Sequence, residues 1–245
     1  MPHPDHVAGD TATGADIYHW RFAPRASTKR NTEWYFWAWI ADSIPWGNQV
    51  QDGGAVLGFS FHDVMSRLAL RGPDDAAGRL GQILDWYAEA VAAGGVRAYY
   101  AADPSRGALQ GGGTAGGLGI DVEFLETVLL PHTMIEGFLG FQPTPDGLRL
   151  APALPRDWPS LRVEHIHYRG GVWDVTATGR EITLHRNGSN GDATGRLKLF
   201  LPKGQWTLAR GEQAAAPLDA AGGDDAGVEV EIVPDGTPHV LRRVD

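Results

Sequence analysis

The chain has 245 residues, of which 42% are hydrophobic, so it can bury a sizeable core as one large domain or two small ones. Its net charge of -9 at pH 7, with 21 scattered Lys and Arg residues, excludes the clustered basic surface that binds nucleic acid. Because the chain has no cysteine, disulfides, thiolate metal sites and cysteine nucleophiles are excluded as well.

The sequence carries no signal for a membrane. No apolar run approaches the roughly 18 residues that a membrane span requires. The N-terminus, Met1-Pro-His-Pro-Asp-His6, lacks the apolar core of a signal peptide. These observations predict a soluble, cytoplasmic protein without a membrane or nucleic-acid partner.

The N-terminal part predicts an extended arm followed by a buried helix. Residues 1–25 are rich in Pro, Gly, Asp and Thr and have no apolar periodicity, which is typical of an arm without regular structure. From Ser27 to Ile40 the chain has apolar side chains on every side, as expected of a helix that its neighbours cover all round.

A glycine-rich loop before the second helix is the first candidate site. Apolar residues at helical spacing predict this helix over about residues 54–70. Free N–H groups and the positive end of the helix dipole favour a polar ligand there, and glycines let it approach closely. Asp52 either takes part in chemistry or only caps the helix. The candidate ligand-binding residues are Trp46, Asn48, Gln51, Gly53, Gly54 and His62.

A third helix follows at once and forms an antiparallel hairpin with the second. Asp74 is predicted as its N-cap and Gly94-Gly95 as its end. Val96–Tyr100 is predicted to be extended, and residues 101–119 form a glycine-rich loop. The predicted buried face of the third helix consists of Ala76, Leu80, Ile83, Leu84, Tyr87 and Val91.

The fourth helix is predicted over residues 119–140 and repeats the arrangement of a glycine loop before a helix. Asp121 and Glu123 fall in its first turn, where a carboxylate either complements the helix dipole or contacts a ligand. Pro131 should kink or restart the helix, because proline removes a backbone donor and crowds the preceding turn.

After Phe141 the apolar pattern changes from helical to alternating, which predicts a second domain over residues 143–245. The alternation is typical of half-buried antiparallel strands, and at least six of them predict a small β-sandwich. His165 and His167 would share one strand face, as two metal ligands do, but no third ligand is evident. We therefore expect no metal and no cofactor.

The order of these elements resembles the C-terminal third of the six-hairpin (α/α)-toroid glycoside hydrolases and glycoside phosphorylases. The resemblance covers roughly residues 34–185 and includes the helix end Leu139-Gly140-Phe141. It implies an α+β, multidomain chain, with a partial toroid of about four helices over residues 26–142 before the antiparallel β-sandwich. The most specific motif is Asp146-Gly-Leu-Arg-Leu-Ala-Pro152-Ala-Leu-Pro155-Arg-Asp-Trp158-Pro159.

The resemblance also implies where a sugar would bind, because in these families the N-terminal ends of the inner helices surround one funnel. Asp52, Asp121 and Glu123 would then lie on the same rim as candidate catalytic carboxylates. An inverting glycosidase needs a carboxylic acid at the leaving oxygen and a carboxylate base that activates water, about 6.5–9.5 Å apart. In these families the acid typically lies upstream, so this chain would supply one member of the pair.

Three functions follow from the resemblance. The favoured one is an inverting glycoside hydrolase acting on an oligosaccharide or glycoside. The second is a noncatalytic carbohydrate-binding or structural subunit. The third is a glycoside phosphorylase, for which the rim loops offer few basic residues apart from Arg106. About four helices of a toroid leave apolar faces uncovered, so we expect a homo-oligomer, a partner chain or a missing N-terminal half.

Overall fold

The computed structural model of the protein describes residues 6–7, 18–19, 55–56, 59–103, 118–119, 129–187, 195–220, 227–232 and 235–244. The chain divides into two compact units. The first unit comprises Met1–Arg71 and Asp75–His132, and the second comprises Gly72–Asp74 and Thr133–Asp245.

The first unit is mainly helical in the residues that the structure describes. It also contains two-residue strands: β1 (His6–Val7) pairs antiparallel with β2 (Tyr18–His19), and β3 (Ala55–Val56) pairs parallel with β4 (Leu118–Gly119). None of the described helices is long and apolar enough to cross a membrane. The helices are α1 (Phe59–Arg71), α2 (Pro73–Ala92), α3 (Val96–Ala102) and α4 (Leu129–His132), with Pro73 and Asp74 of α2 counted in the second unit.

α1 begins later than the sequence predicts. The predicted helix over residues 54–70 is confirmed from Phe59 onward, but it is wrong for Ala55–Val56, which forms β3. Glycine at positions 54 and 58 weakens a helix, and the branched side chain of Val56 favours a strand. In the chain, β3 therefore lies between Asp52 and the start of α1.

α2 confirms the predicted helix but only part of its predicted buried face. Ala76, Leu80 and Ile83 are buried, and the buried row continues through Trp86 and Ala90 at positions i+10 and i+14 from Ala76. α2 therefore has a second apolar row beside the buried one. That second row comprises Leu84, Tyr87 and Val91, whose exposed fractions are 55%, 56% and 59%.

The beginning of α2 also differs from the prediction, which made Asp74 the N-cap. The helix begins at Pro73, since proline suits the first helical position. The Asp74 carboxylate instead accepts hydrogen bonds from the Arg156 backbone N–H at 2.8 Å and from Arg156 Nε at 2.7 Å. These two bonds lower the pKa of Asp74, the backbone bond most.

α3 replaces the extended segment predicted over Val96–Tyr100. Gly94 and Gly95 have φ values of 92° and 108°, and they turn the chain between α2 and α3. Tyr99 is buried in α3, and its hydroxyl donates to Glu89 Oε2 at 2.9 Å. The prediction is therefore wrong, because this contact across the turn favours a helix that local β-propensity does not indicate.

The fourth predicted helix is described from Leu129 onward. After α4 the chain continues as a π-helix over Thr133–Phe138, which begins two residues after Pro131. Leu139 N–H donates to the Met134 carbonyl at 3.0 Å, which is the i to i−5 spacing of a π-helix. A change of helix type near Pro131 agrees with the predicted restart.

The second unit contains two sheets in its described part. The four-stranded sheet has the order β13-β10-β6-β5, and the six-stranded sheet has the order β12-β11-β14-β9-β8-β7. All neighbouring pairs are antiparallel except β6 and β10, which are parallel. The strands are β5 (Phe141–Pro143), β6 (Leu148–Leu150), β7 (Leu161–Tyr168), β8 (Gly171–Ala177), β9 (Glu181–Asn187), β10 (Arg196–Phe200), β11 (Gly204–Arg210), β12 (Ala216–Ala220), β13 (Val228–Glu231) and β14 (His239–Arg243).

Residues of both sheets form one hydrophobic core, as in the predicted β-sandwich. β8 alternates strictly between buried and partly buried residues, so every second side chain faces the core. The alternation that predicts these strands is therefore confirmed. Its buried members are Trp173, Val175, Ala177, Ile182, Leu184, Leu197, Leu199, Leu201, Trp206, Val230 and Ile232.

A β-bulge interrupts β7, which is an edge strand of the six-stranded sheet. Val163 pairs with Val175 and Ile166 with Trp173, so Glu164 and His165 lie opposite Asp174 alone. His165 has a φ of 60°, and its backbone N–H donates to Asp174 Oδ1 at 2.9 Å. Asp174 thus supplies the acceptor that the strand pairing does not provide.

Candidate functional site

Most of the predicted site residues lie outside the described part of the chain. His62 is described and lies exposed in the first turn of α1, where its ring contacts Phe61 edge to face with 5.2 Å between centroids. The residues outside the described part are Asp52, Asp121, Glu123, Trp46, Asn48, Gln51, Gly53, Gly54 and Arg106, and their roles stay predictions.

β3 and β4 are described immediately beside these segments. Ala55 pairs with Leu118, and Val56 pairs with Gly119, in parallel register. β3 comes after the segment with Asp52, and β4 comes shortly before Asp121. The structure therefore brings together the backbone next to the two predicted site segments.

An ion-pair network links α1 to α2 in the first unit. The Arg79 side chain is 0% exposed, and its Nε lies 2.6 Å from Asp63 Oδ2. Arg67 joins the same carboxylate at 3.0 Å and Asp75 at 2.8 Å. Burial alone would lower the pKa of Arg67, but its hydrogen bonds and charge interactions with Asp63 and Asp75 raise it. The network fixes the register of the two helices, because a shift would leave buried charges unpaired.

Sequence reasoning missed this network, although one signal was available. Asp63 and Arg67 are four residues apart, which puts them on one helix face. No local signal indicates that Arg79 is buried, since its partner belongs to the preceding helix. Only the packing of the hairpin reveals that contact.

The junction between the π-helix and the sandwich, residues 139–147, depends on two glycines at close backbone contacts. Gly140 has a φ of 65°, and a Cβ there would lie 2.2 Å from the Ala151 carbonyl oxygen. A Cβ on Gly147 would lie 2.1 Å from the Lys198 carbonyl oxygen. These positions explain why Leu139-Gly140-Phe141 and Asp146-Gly147-Leu148 each carry glycine at the centre.

Aromatic side chains hold the same junction. The Tyr168 hydroxyl donates to the Gly147 carbonyl at 2.6 Å, and its ring meets Phe141 edge to face at 5.6 Å. Phe138 packs against Trp158 with 5.0 Å between ring centroids. The motif from Asp146 to Trp158 is therefore a structural element of the second unit.

The family comparison falls on this junction. Residues 141–198 match the family model described as Glycosyl hydrolase family 65, C-terminal domain. The match begins at β5 and ends within β10, so it includes the β5–β6 hairpin and strands β7 to β9. The predicted resemblance to glycoside hydrolases and phosphorylases is thereby confirmed.

One similar solved structure is provisionally named a kojibiose phosphorylase from the human microbiome. The two chains share 11% sequence identity with a TM-score of 0.33, and the match covers 71% of this chain. It covers 19% of the other chain, so this chain spans about a fifth of the length of that protein. A comparison with curated proteins finds no match.

The two histidines of β7 do not form a metal centre with other described residues. His165 lies at the bulge and His167 two residues beyond it, and both are exposed. Within the described ranges, no group of three His, Cys, Asp or Glu side chains is arranged to hold a metal ion.

Proposed function

We propose that the chain is the C-terminal part of an enzyme that cleaves glycosidic bonds with inversion at the anomeric carbon. The family match over residues 141–198 carries this proposal. The close contacts at Gly140 and Gly147 show that the motif glycines have a structural role in the second unit. In this proposal residues 1–25 are an arm, residues 26–142 are part of an (α/α)-toroid, and residues 143–245 are the β-sandwich.

The proposed chemistry rests on the carboxylates of the two glycine-loop segments. Asp121 or Glu123 acts as the base, and Asp52 binds sugar hydroxyls or acts as the second carboxylate. The pairing of β3 with β4 supports this arrangement, since it joins the backbone beside Asp52 to the backbone beside Asp121. The proposed sugar-binding residues are Trp46, Asn48, Gln51, Gly53, Gly54 and His62.

The attacking group distinguishes hydrolysis from phosphorolysis. Water needs a protein base to become a nucleophile, whereas phosphate is already an anion and needs basic residues to hold it. Asp121 and Glu123 offer such a base. Along the sequence, Arg106 is the nearest preceding arginine or lysine. We therefore favour hydrolysis over phosphorolysis.

The test is turnover of aryl glycosides and disaccharides by the purified chain, with and without inorganic phosphate, while its mass in solution is measured. We expect Asp52→Asn and Glu123→Gln each to reduce turnover by about 100-fold or more. The matched control is Glu229→Gln on β13, an exposed carboxylate that should leave turnover unchanged.

Unchanged rates in both Asp52→Asn and Glu123→Gln would refute the catalytic assignment. Turnover only with phosphate would replace hydrolysis by phosphorolysis. Turnover by a monomer would show that no partner chain is needed.

A noncatalytic subunit is the second candidate, and the exposed row of α2 favours it. Leu84, Tyr87 and Val91 are each more than half exposed, and such a row suits packing against further helices. In this case the chain completes a toroid with another chain or a second copy. Sugar binding without turnover, by an oligomer, would favour this candidate.

A further inference from the structure

A polar pocket lies at one end of the six-stranded sheet, within the second unit. It is an open depression with a volume of about 430 Å³, and it is not an enclosed cavity. Two turns build it: one connects β11 to β12, and the other precedes β14. Its lining residues are Arg210, Gly211, Glu212, Gln213 and Thr237.

Hydrogen bonds hold these two turns against each other. Arg210 Nη2 lies 3.1 Å from Asp235 Oδ2, and the Thr237 backbone N–H donates to Asp235 Oδ1 at 2.8 Å. Gly211 N–H donates to the Pro238 carbonyl at 2.9 Å, and Gln213 N–H donates to the Arg210 carbonyl at 2.9 Å. The backbone of the two turns is therefore fixed before any ligand arrives, which lowers the entropy lost on binding.

Two histidines support the second turn from the sheet behind it. His185 Nδ1 is 3.1 Å from the Gly236 carbonyl, and His239 Nδ1 is 3.0 Å from the Thr237 carbonyl. Each carbonyl accepts one imidazole N–H, which assigns the tautomer with the proton on Nδ1. The hydrogen bonds to Thr237, and then the Arg210 charge, lower the pKa of Asp235, so its carboxylate stays ionised.

The mixture of lining groups selects the chemical class of ligand. Arg210 and the Gln213 amide donate hydrogen bonds and Glu212 accepts them. The Thr237 hydroxyl donates its proton to Asp235, and its oxygen can still accept a hydrogen bond. Sugar hydroxyls also donate and accept hydrogen bonds. Two neighbouring hydroxyls of a sugar can bind both polar atoms of a planar guanidinium, amide or carboxylate group. An anion would be repelled by Glu212 and by Asp235 beside the pocket, and an apolar ligand would leave these polar groups unpaired.

We propose that this pocket is a binding site for a neutral sugar on the sandwich. The site consists of residues of the second unit alone and does not depend on the catalytic assignments made above. Its five lining residues include no aromatic ring, so we expect weak binding without stacking. Such a site would hold the β-sandwich to a carbohydrate.

The test is titration of the full chain with maltose, followed by the amide NMR signals of Gly211, Gln213 and Thr237. We expect saturable shifts of these signals, with a dissociation constant in the millimolar range. Gluconate, a polyhydroxy anion, should bind more weakly. Gln213→Ala should weaken maltose binding by about 2- to 10-fold, the effect of one hydrogen bond.

Gln205→Ala is the matched control, because Gln205 is an exposed glutamine on β11, outside the pocket. It should leave the maltose titration unchanged. The Asp52→Asn variant should also keep the shifts of Gly211 and Gln213, which separates this site from the proposed catalytic one. The proposal is overturned if maltose shifts none of the three signals, if gluconate binds at least as well, or if Gln213→Ala and Gln205→Ala behave alike.

Discussion

The two units of this chain differ in how far local sequence determines which side chains are buried. In the sandwich, a period of two residues fixes the core face of each strand, as for Trp173, Val175 and Ala177. In the helical unit, α2 carries two apolar rows, and its neighbours decide which row is covered. A strand pattern thus predicts its own buried face, whereas a helix with two apolar rows needs its packing partner.

The largest expected effect concerns a backbone contact in the sandwich. Gly147→Ala should lower the free energy of unfolding by about 4 kcal/mol or more, because its Cβ would lie 2.1 Å from the Lys198 carbonyl oxygen. That carbonyl belongs to β10, whose next residue pairs with Leu148, so it cannot move without disturbing the sheet. Urea unfolding of the full chain measures the change.

Gly179→Ala is the control for this prediction. A Cβ on Gly179 would have no neighbouring atom within 4 Å, so this substitution should change the unfolding free energy by less than about 0.5 kcal/mol. Equal unfolding midpoints for the two variants would contradict the proposed role of Gly147.

The next effect is expected in the helical unit, from its buried charges. Asp63→Asn should cost about 3 kcal/mol, because it replaces the carboxylate that lies 2.6 Å from Nε of the fully buried Arg79 by a neutral amide. Glu164→Gln is the control: it breaks the exposed pair with Arg162 and should cost about 1 kcal/mol or less. If both substitutions had the same small effect on the free energy of unfolding, the network would not stabilise the packing of α1 against α2.

A pH dependence is expected in the sandwich. Burial lowers the pKa of His239, and the charges of Arg210 and His185 act in the same direction, while the Thr237 carbonyl and Asp235 oppose them. As pH falls below about 6.5, the unfolded chain takes up a proton that folded His239 does not. The free energy of unfolding should therefore fall until the folded pKa is reached, by at most about 1.4 kcal/mol per pH unit.

Urea unfolding between pH 7 and pH 5 measures this slope. His239→Gln should reduce it, whereas His165→Gln should not, because His165 is exposed. The same slope in His239→Gln and in the unchanged protein would assign the pH dependence to other groups.

The smallest expected effect separates the two apolar rows of α2. Leu84→Gln should change the unfolding free energy by less than about 0.5 kcal/mol, since Leu84 is 55% exposed. Ile83→Gln should cost several times more, since Ile83 is 1% exposed. Circular dichroism during thermal unfolding compares the two variants. Equal losses of stability would mean that both apolar rows are covered.

Much of the fold was predictable from the sequence, but the candidate site was less so. The alternation around Trp173 and Leu199 predicts the sandwich, and the family motif predicts the junction at Gly147. α3 was missed because the contact of Tyr99 with Glu89 crosses a turn that local propensity does not encode. In the sandwich pocket, Arg210 and Thr237 come together only because their strands pair. No spacing in the sequence indicates that these two residues are close.

The bulge in β7 has a consequence for how the protein behaves at high concentration. A regular edge strand offers a row of free backbone groups on which another molecule can add a strand, and this is a common start of aggregation. At Glu164 and His165 the extra residue of the bulge breaks the regular spacing of that row. The bulge therefore protects the open side of the sheet from intermolecular strand addition.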